Sequence, residues 1–196
     1  RNITNGYLQV KANGLDVFKS RANSAISECQ NTIHTLTEGY YYTRPGSQFS
    51  VQGSLLRKTK KAFKATSEDD INFWRSIRGE KYLQDHQEAI KRGVKITRIF
   101  IHPESAIPQI IDVLQKQIDI GIEVLVVPAD HISADLIQDF IIMDDHIVSF
   151  SPEFVVTSAD REERISSQTD EVNEVLYKFN LLCGYSKPAR NIIEGL

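Results

Sequence analysis

At 196 residues, with 41% hydrophobic and 25% charged side chains, the chain is long enough for one domain with a sizeable core and too apolar for wholesale disorder. A formal net charge of −3 excludes the broad basic excess that supplies most nucleic-acid affinity, so any contact with phosphate has to come from a local patch. Cys29 and Cys183 have no zinc-type spacing and read as thiols of a reducing, cytoplasmic compartment; no apolar run reaches membrane-spanning length.

Residues 1–20 read as an N-terminal extension or linker and residues 21–196 as an α/β domain. Because the chain opens on Arg1, a further domain of the same polypeptide is expected upstream. From Leu15, apolar or small residues recur at Phe18, Ala22, Ala25, Ile26 and Cys29, which is helical spacing. Thr32 to Tyr42 is predicted as a strand ending in three tyrosines, and Arg44 to Ser47 as a loop. Lys60 to Thr66 predicts a short strand, with Ser67 after it as a helix N-cap and Asp70 at the capping-box distance. Ile71, Trp74 and Ile77 mark a helix that breaks at Gly79, Trp74 plugging the contact between helix and sheet. Leu83, Gln87 and Ile90 mark the next helix, from Glu80 to Arg92, with Gly93 past its end. The β-branched run Val94 to Ile101 predicts an interior strand. Ile107, Ile110, Ile111, Leu114 and Ile118 form a helical stripe closed by Gly121, and Ile122 to Val127 is again a continuous apolar strand.

The helix–glycine–strand unit thus occurs twice in succession, which predicts a mixed, largely parallel sheet flanked by helices. Asp139 to Phe150 reads as two apolar strands joined by a tight acidic turn, adding antiparallel members. A polar linker around Asp160 to Glu163 precedes a final amphipathic helix carrying Val172, Val175, Leu176, Phe179 and Leu182.

Several segments carry a resemblance. They are Ala22 to Ile26 followed by Thr32 to Leu36, then Ala65-Thr66-Ser67, Trp74, Gly79, Tyr82 and Gly93 to Ile101, and last the acidic hairpin. Together they resemble the phospholipase D-like domain, and in particular bacterial regulatory domains of that fold. Active members carry two H-x-K-x-x-x-x-D motifs, whose histidines attack phosphorus and protonate the leaving group while lysines hold the phosphate charge. Aligning Asp144 with the final aspartate puts Ile137 at the histidine and Asp139 at the lysine. None of the five histidines has lysine two positions on, and Ser149-Phe150-Ser151-Pro152 stands where the family has Gly-Ser-x-Asn. The resemblance therefore implies the sandwich fold without inherited phosphodiesterase chemistry. It points to a non-catalytic regulatory or binding module, sensing a small molecule or docking a protein, within a larger signalling or transcription-regulating protein. Because the fold pairs two halves across a shared face and this chain supplies one, a homodimer is an expected assembly.

Ligands of open α/β sheets favour the carboxyl ends of parallel strands. The candidates there are Glu38, Tyr40 and Tyr42, then Ser67, His102, Asp130 and His131. One alternative is a hydrolase using His102 or His131 with Glu38 or Asp130 as an acid/base pair; no metal or cofactor is expected. Another is nucleic-acid binding through Arg57-Lys58-Thr59-Lys60-Lys61 and Lys64. Arg98, inside an apolar strand, is expected to pair with Asp139 or Asp144 and so to hold the sheet in register.

Overall fold

A computed structural model describes residues 2–43, 48–68, 71–151 and 162–195. The chain divides into two compact units, residues 1–41 and 42–196.

The first unit is a pair of helices. Asn2 caps α1 (Ile3–Asn13) by accepting the Thr4 N–H at 3.0 Å, and α2 (Asp16–Thr37) follows after Gly14. The Tyr7 hydroxyl donates to Asn23 Oδ1 at 2.8 Å and joins the two. The boundary expected between residues 20 and 21 falls inside α2. The strand expected over Thr32 to Tyr42 is also corrected: α2 continues to Thr37, and only β1 (Tyr40–Tyr42) is extended. Thr32, Thr35 and Thr37 donate their hydroxyls to carbonyls three or four residues back, an option open to threonine in a helix that offsets its β preference. His34 and Glu38, four residues apart at 3.4 Å, support the same turns.

In the second unit the strands β2 (Ala62–Ser67), β3 (Lys95–His102), β4 (Glu123–Pro128), β5 (Phe140–Met143), β6 (Ile147–Phe150), β7 (Arg164–Ser166) and β8 (Lys187–Pro188) lie in the order β7-β6-β5-β2-β3-β4-β8. The sheet is mixed, as expected. Its parallel pairs, β2 with β3 and β3 with β4, sit at the centre, and the pairs outside them are antiparallel. Strand alternation sends side chains to two faces. On one, Ile96, Phe100, Val124, Val126, Ile141 and Met143 pack with helices α3 (Gln48–Lys58), α4 (Ile71–Trp74), α5 (Ile77–Lys91), α6 (Ile111–Asp119) and α8 (Ala189–Ile193). On the other, Ile99, Ile101, Val127, Phe140, Ile142 and Val148 meet Val172, Val175, Phe179 and Leu182 of α7 (Thr169–Tyr185).

Several local expectations change. Ser67 ends β2 rather than capping a helix, its Oγ accepting the Trp74 indole N–H at 3.2 Å; Asp70 lies outside the described residues, as do the loop over residues 44–47 and residues 152–161. Gly79 does not break a helix. It lies in the first turn of α5, where a Cβ would come within 2.3 Å of Phe73 O, so its missing side chain lets α5 start against α4. Gly93 does end α5 as expected, at φ +90°. Pro108 has no N–H to give an α-helix, and the chain runs as a 3-10 segment from Glu104 to Ile110 before α6 begins. Glu163, expected at the end of a polar linker, is only 7% exposed. Its carboxylate accepts Gln52 Nε2–H and the Ser149 hydroxyl, and its carbonyl accepts the Thr43 N–H at 2.8 Å.

The β5–β6 turn places Asp144 and Asp145 at φ 51° and 58°, the left-handed pair that a tight hairpin requires. There the Asp144 carboxylate accepts the N–H groups of Lys60, Lys61 and Ala62 at 2.9, 2.7 and 3.0 Å, while its own N–H donates to Ala62 O. Desolvation works to raise the Asp144 pKa, but the three amides more than offset it and hold the group below the usual carboxylate range.

Arg98 of β3 is 1% exposed. Its contacts include a histidine and an aromatic ring. Arg98 Nη2 meets His86 Nε2 at 2.7 Å and its guanidinium lies 4.3 Å from the Trp74 ring centre, while Asp139 accepts the Glu68 N–H at 2.8 Å. Tyr82 O lies 2.7 Å from His86 Nδ1, so Nδ1 carries the proton and the neutral ring accepts from Arg98 through Nε2. Burial, together with the Arg98 charge, pushes the His86 pKa well below its ordinary value.

Two outcomes test this framework. Replacing Asp144 with alanine should cost about 1–3 kcal/mol in urea unfolding, with asparagine intermediate, because three amides lose a charged acceptor. His86 stays neutral when folded but binds a proton when unfolded below about pH 6.5, so its stability contribution is present above that pH and falls as pH drops, by up to about 1.4 kcal/mol per unit. His86→Gln, which still offers an acceptor, should flatten that slope between about pH 6.5 and 5; an identical slope would assign the effect to other groups.

Candidate functional site

The carboxyl ends of β2, β3 and β4 form one rim. The ladder pairs Ser67 with Phe100 and His102 with Pro128, so Ser67, His102 and the short helical turn Ala129–His131 follow one another along the strand ends. Ser67 and His102 are buried, whereas Asp130 and His131 project from the turn. Asp130 Oδ2 accepts the Glu104 N–H at 2.9 Å, and His131 Nε2 lies 3.7 Å from Glu104 Oε2. Asp139, just before antiparallel β5, comes to the same rim through its bond to the Glu68 N–H.

Of the residues proposed from sequence, Ser67, His102, Asp130 and His131 therefore share this edge. Tyr42 lies elsewhere in the domain: Arg164 Nη1 donates to its hydroxyl at 3.2 Å and stacks over its ring, while Arg164 Nε is held by Glu171 at 2.9 Å. Glu38 and Tyr40 belong to the first unit, Glu38 as the C-cap of α2.

Sequence reasoning passed over two residues here. Glu104 follows β3 by two positions and joins both Asp130 and His131; its signal was the carboxylate two residues after His102 at a predicted strand end. His86 lies under the sheet, against Phe63, Tyr82 and Arg98. The predicted line ran through Gln87, which is exposed, whereas Gly79, Tyr82, Leu83, His86 and Ala89 form the buried stripe.

The His131–Glu104 pair, with side chains 60% and 69% accessible, is screened by solvent. Among the described residues no group of three or more His, Cys, Asp or Glu is placed to hold a metal ion, and no helix is long and apolar enough to cross a membrane.

The opposite, amino-terminal edge has another character. Arg57 and Lys58 occupy the last turn of α3, Lys60 and Lys61 lead into β2, and Arg92 caps α5. Arg57, Lys58, Thr59, Lys60 and Arg92 line an open cleft of about 490 Å³. Lys64, counted with this run in the sequence, is instead paired with Asp145 at 2.8 Å.

No family model and no curated protein matches the chain. Solved structures do. TrmBL2, described as an archaeal chromatin protein with a novel mode of DNA binding, superposes with a TM-score of 0.56 at 14% identity, over 90% of this chain and 70% of its own. Nuc, a phospholipase D family member from Salmonella typhimurium, gives 0.53 at 15% identity over 76% of this chain and 95% of its own. NucT from Helicobacter pylori gives 0.53 at 13% identity over 76% and 99%. Identities this low speak to backbone architecture alone, and that architecture is the phospholipase D-like fold.

Proposed function

We propose that this chain is a non-catalytic regulatory or binding module on a phospholipase D-like scaffold, working within a larger signalling or transcription-regulating protein. The observation that carries the reading is Asp139, which stands where the family's signature has its phosphate-facing lysine and hydrogen-bonds the Glu68 N–H at the strand-end rim. A carboxylate about 4 Å from a phosphate charge, at an effective dielectric of about 20, is repelled by roughly 4 kcal/mol, where lysine would attract by as much. Ile137 in the histidine position supplies neither a nucleophile nor an acid. The acid/base alternative at the rim is weaker, because Asp130 is engaged by the Glu104 amide and His131 is exposed.

A second reading, nucleic-acid binding, is favoured by the likeness to a DNA-binding chromatin protein over most of this chain and by the basic run before β2. It is compatible with the first, since binding requires no diesterase chemistry.

Purified protein should release nitrophenol from bis(4-nitrophenyl) phosphate no faster than buffer does. Turnover above that level, abolished by His102→Ala or Asp130→Asn, would overturn the non-catalytic reading and restore the hydrolase.

A further inference from the structure

We infer that the basic cleft at the amino-terminal edge of the parallel strands is a contact site for the phosphate backbone of a nucleic acid, on the opposite edge from the rim where the fold's catalytic groups would stand. This rests on the second reading above and locates it.

The cleft is assembled from three places in the chain. Arg57 and Lys58 come from the end of α3, Thr59 and Lys60 from the connection into β2, and Arg92 from the end of α5. Lys61 and Lys95 extend the same edge, Lys95 N–H donating to Lys61 O at 2.9 Å, and both side chains are exposed. The positive charge therefore runs as a track rather than a single point, which suits a linear polyanion.

The two guanidinium groups are already oriented. Arg57 Nη1 is held by Asp85 at 3.2 Å, and Arg92 Nη2 donates to Leu56 O at 3.0 Å, so each presents its remaining N–H groups with less freedom to lose. Lys58 and Lys60 are exposed, and neither ammonium has an ion-pair partner among the described residues.

A structural explanation accounts for part of this charge. Cations in the last turns of α3 and α5 complement the helix dipoles, each worth about half a negative charge. Asp85 and the Asp144 carboxylate supply two more negative charges nearby. Six cations at one edge exceed all of these, in a chain whose net charge is −3.

The lining also selects among anions. Among the described residues it contains no aromatic or aliphatic side chain on which a base could stack or into which an acyl chain could insert, which leaves phosphate as the group recognised. Binding through this cleft should be independent of sequence and strongly dependent on salt.

The test is fluorescence anisotropy with a labelled DNA duplex of about 20 base pairs, titrated from about 25 to 200 mM salt, where each phosphate contact contributes about −0.9 to the log–log slope. Lys58→Ala/Lys60→Ala should weaken binding at least about tenfold near 50 mM salt and make the slope shallower by about 2, whereas Lys81→Ala/Lys187→Ala should change neither. Circular dichroism of each variant verifies the fold, which two exposed lysines should leave intact. Duplex binding that ignores the cleft substitutions overturns this site and leaves the nucleic-acid reading standing. Absence of binding to duplex or single strand at the lowest salt overturns both. Binding of inorganic tripolyphosphate, or of anionic vesicles, without binding of nucleic acid would assign the cleft to a different ligand and overturn the proposal.

Discussion

The carboxylate of Asp144 accepts hydrogen bonds from three successive backbone amides at the start of β2, and those bonds tie the hairpin turn to the centre of the sheet. β2 is shared between a parallel neighbour and an antiparallel one, so its register sets both ladders. A slip of one residue would turn Phe63 and Ala65 to the face where Lys64 now points, and would exchange every core contact with its opposite. The clamp opposes that slip at the strand's entry, by binding the two amides that precede β2 and the amide of its first residue. In the family resemblance this same aspartate is the last letter of a catalytic signature; here its lone pairs are committed to the backbone.

Register in turn decides what meets at each end of the strands. At the carboxyl ends it aligns Ser67, His102 and the Asp130–His131 turn with Glu68, Glu104 and Asp139, a rim of carboxylates and histidines. At the amino ends it brings Lys61 beside Lys95, with the ends of α3 and α5 adding Arg57, Lys58 and Arg92. The two ends of the parallel strands thus gather different side chains. The rim gathers Glu68, Glu104 and Asp139, whereas exposed lysines and arginines collect where the parallel strands begin.

Between the edges, Arg98 is enclosed at the middle of the sheet. Burying a guanidinium is costly unless polar and aromatic groups surround it, and His86, Trp74 and Tyr82 do so from α4 and α5. His86 can serve only as a neutral acceptor there, because a proton on Nε2 would face the cation directly. The arrangement couples the position of α5 to β3 and, through Trp74 and its bond to Ser67, to the floor of the rim.

Local pattern in the sequence determined much of this. Continuous β-branched runs marked β3 and β4, helical spacing marked α5, α6 and α7, and the acidic turn marked the β5–β6 hairpin. The places of Ser67, His102, Asp130 and His131 at strand ends followed from those assignments, because strand direction and helix–strand alternation are encoded over a few residues. The parts that failed to show are those where side-chain hydrogen bonds, local or distant, override residue preference. Thr32 to Thr37 looked like a strand because threonine favours strands, while its hydroxyls in fact bond within a helix. Glu163 looked like a linker residue until Gln52, 111 positions away, and Ser149, 14 positions away, closed on it. Arg98 carried no sign of its histidine, since polar burial is set by what packs above a residue and not by its neighbours in sequence. Periodicity therefore specified the elements and their faces, and only tertiary packing decided which polar side chains are enclosed together and which cations converge on one cleft.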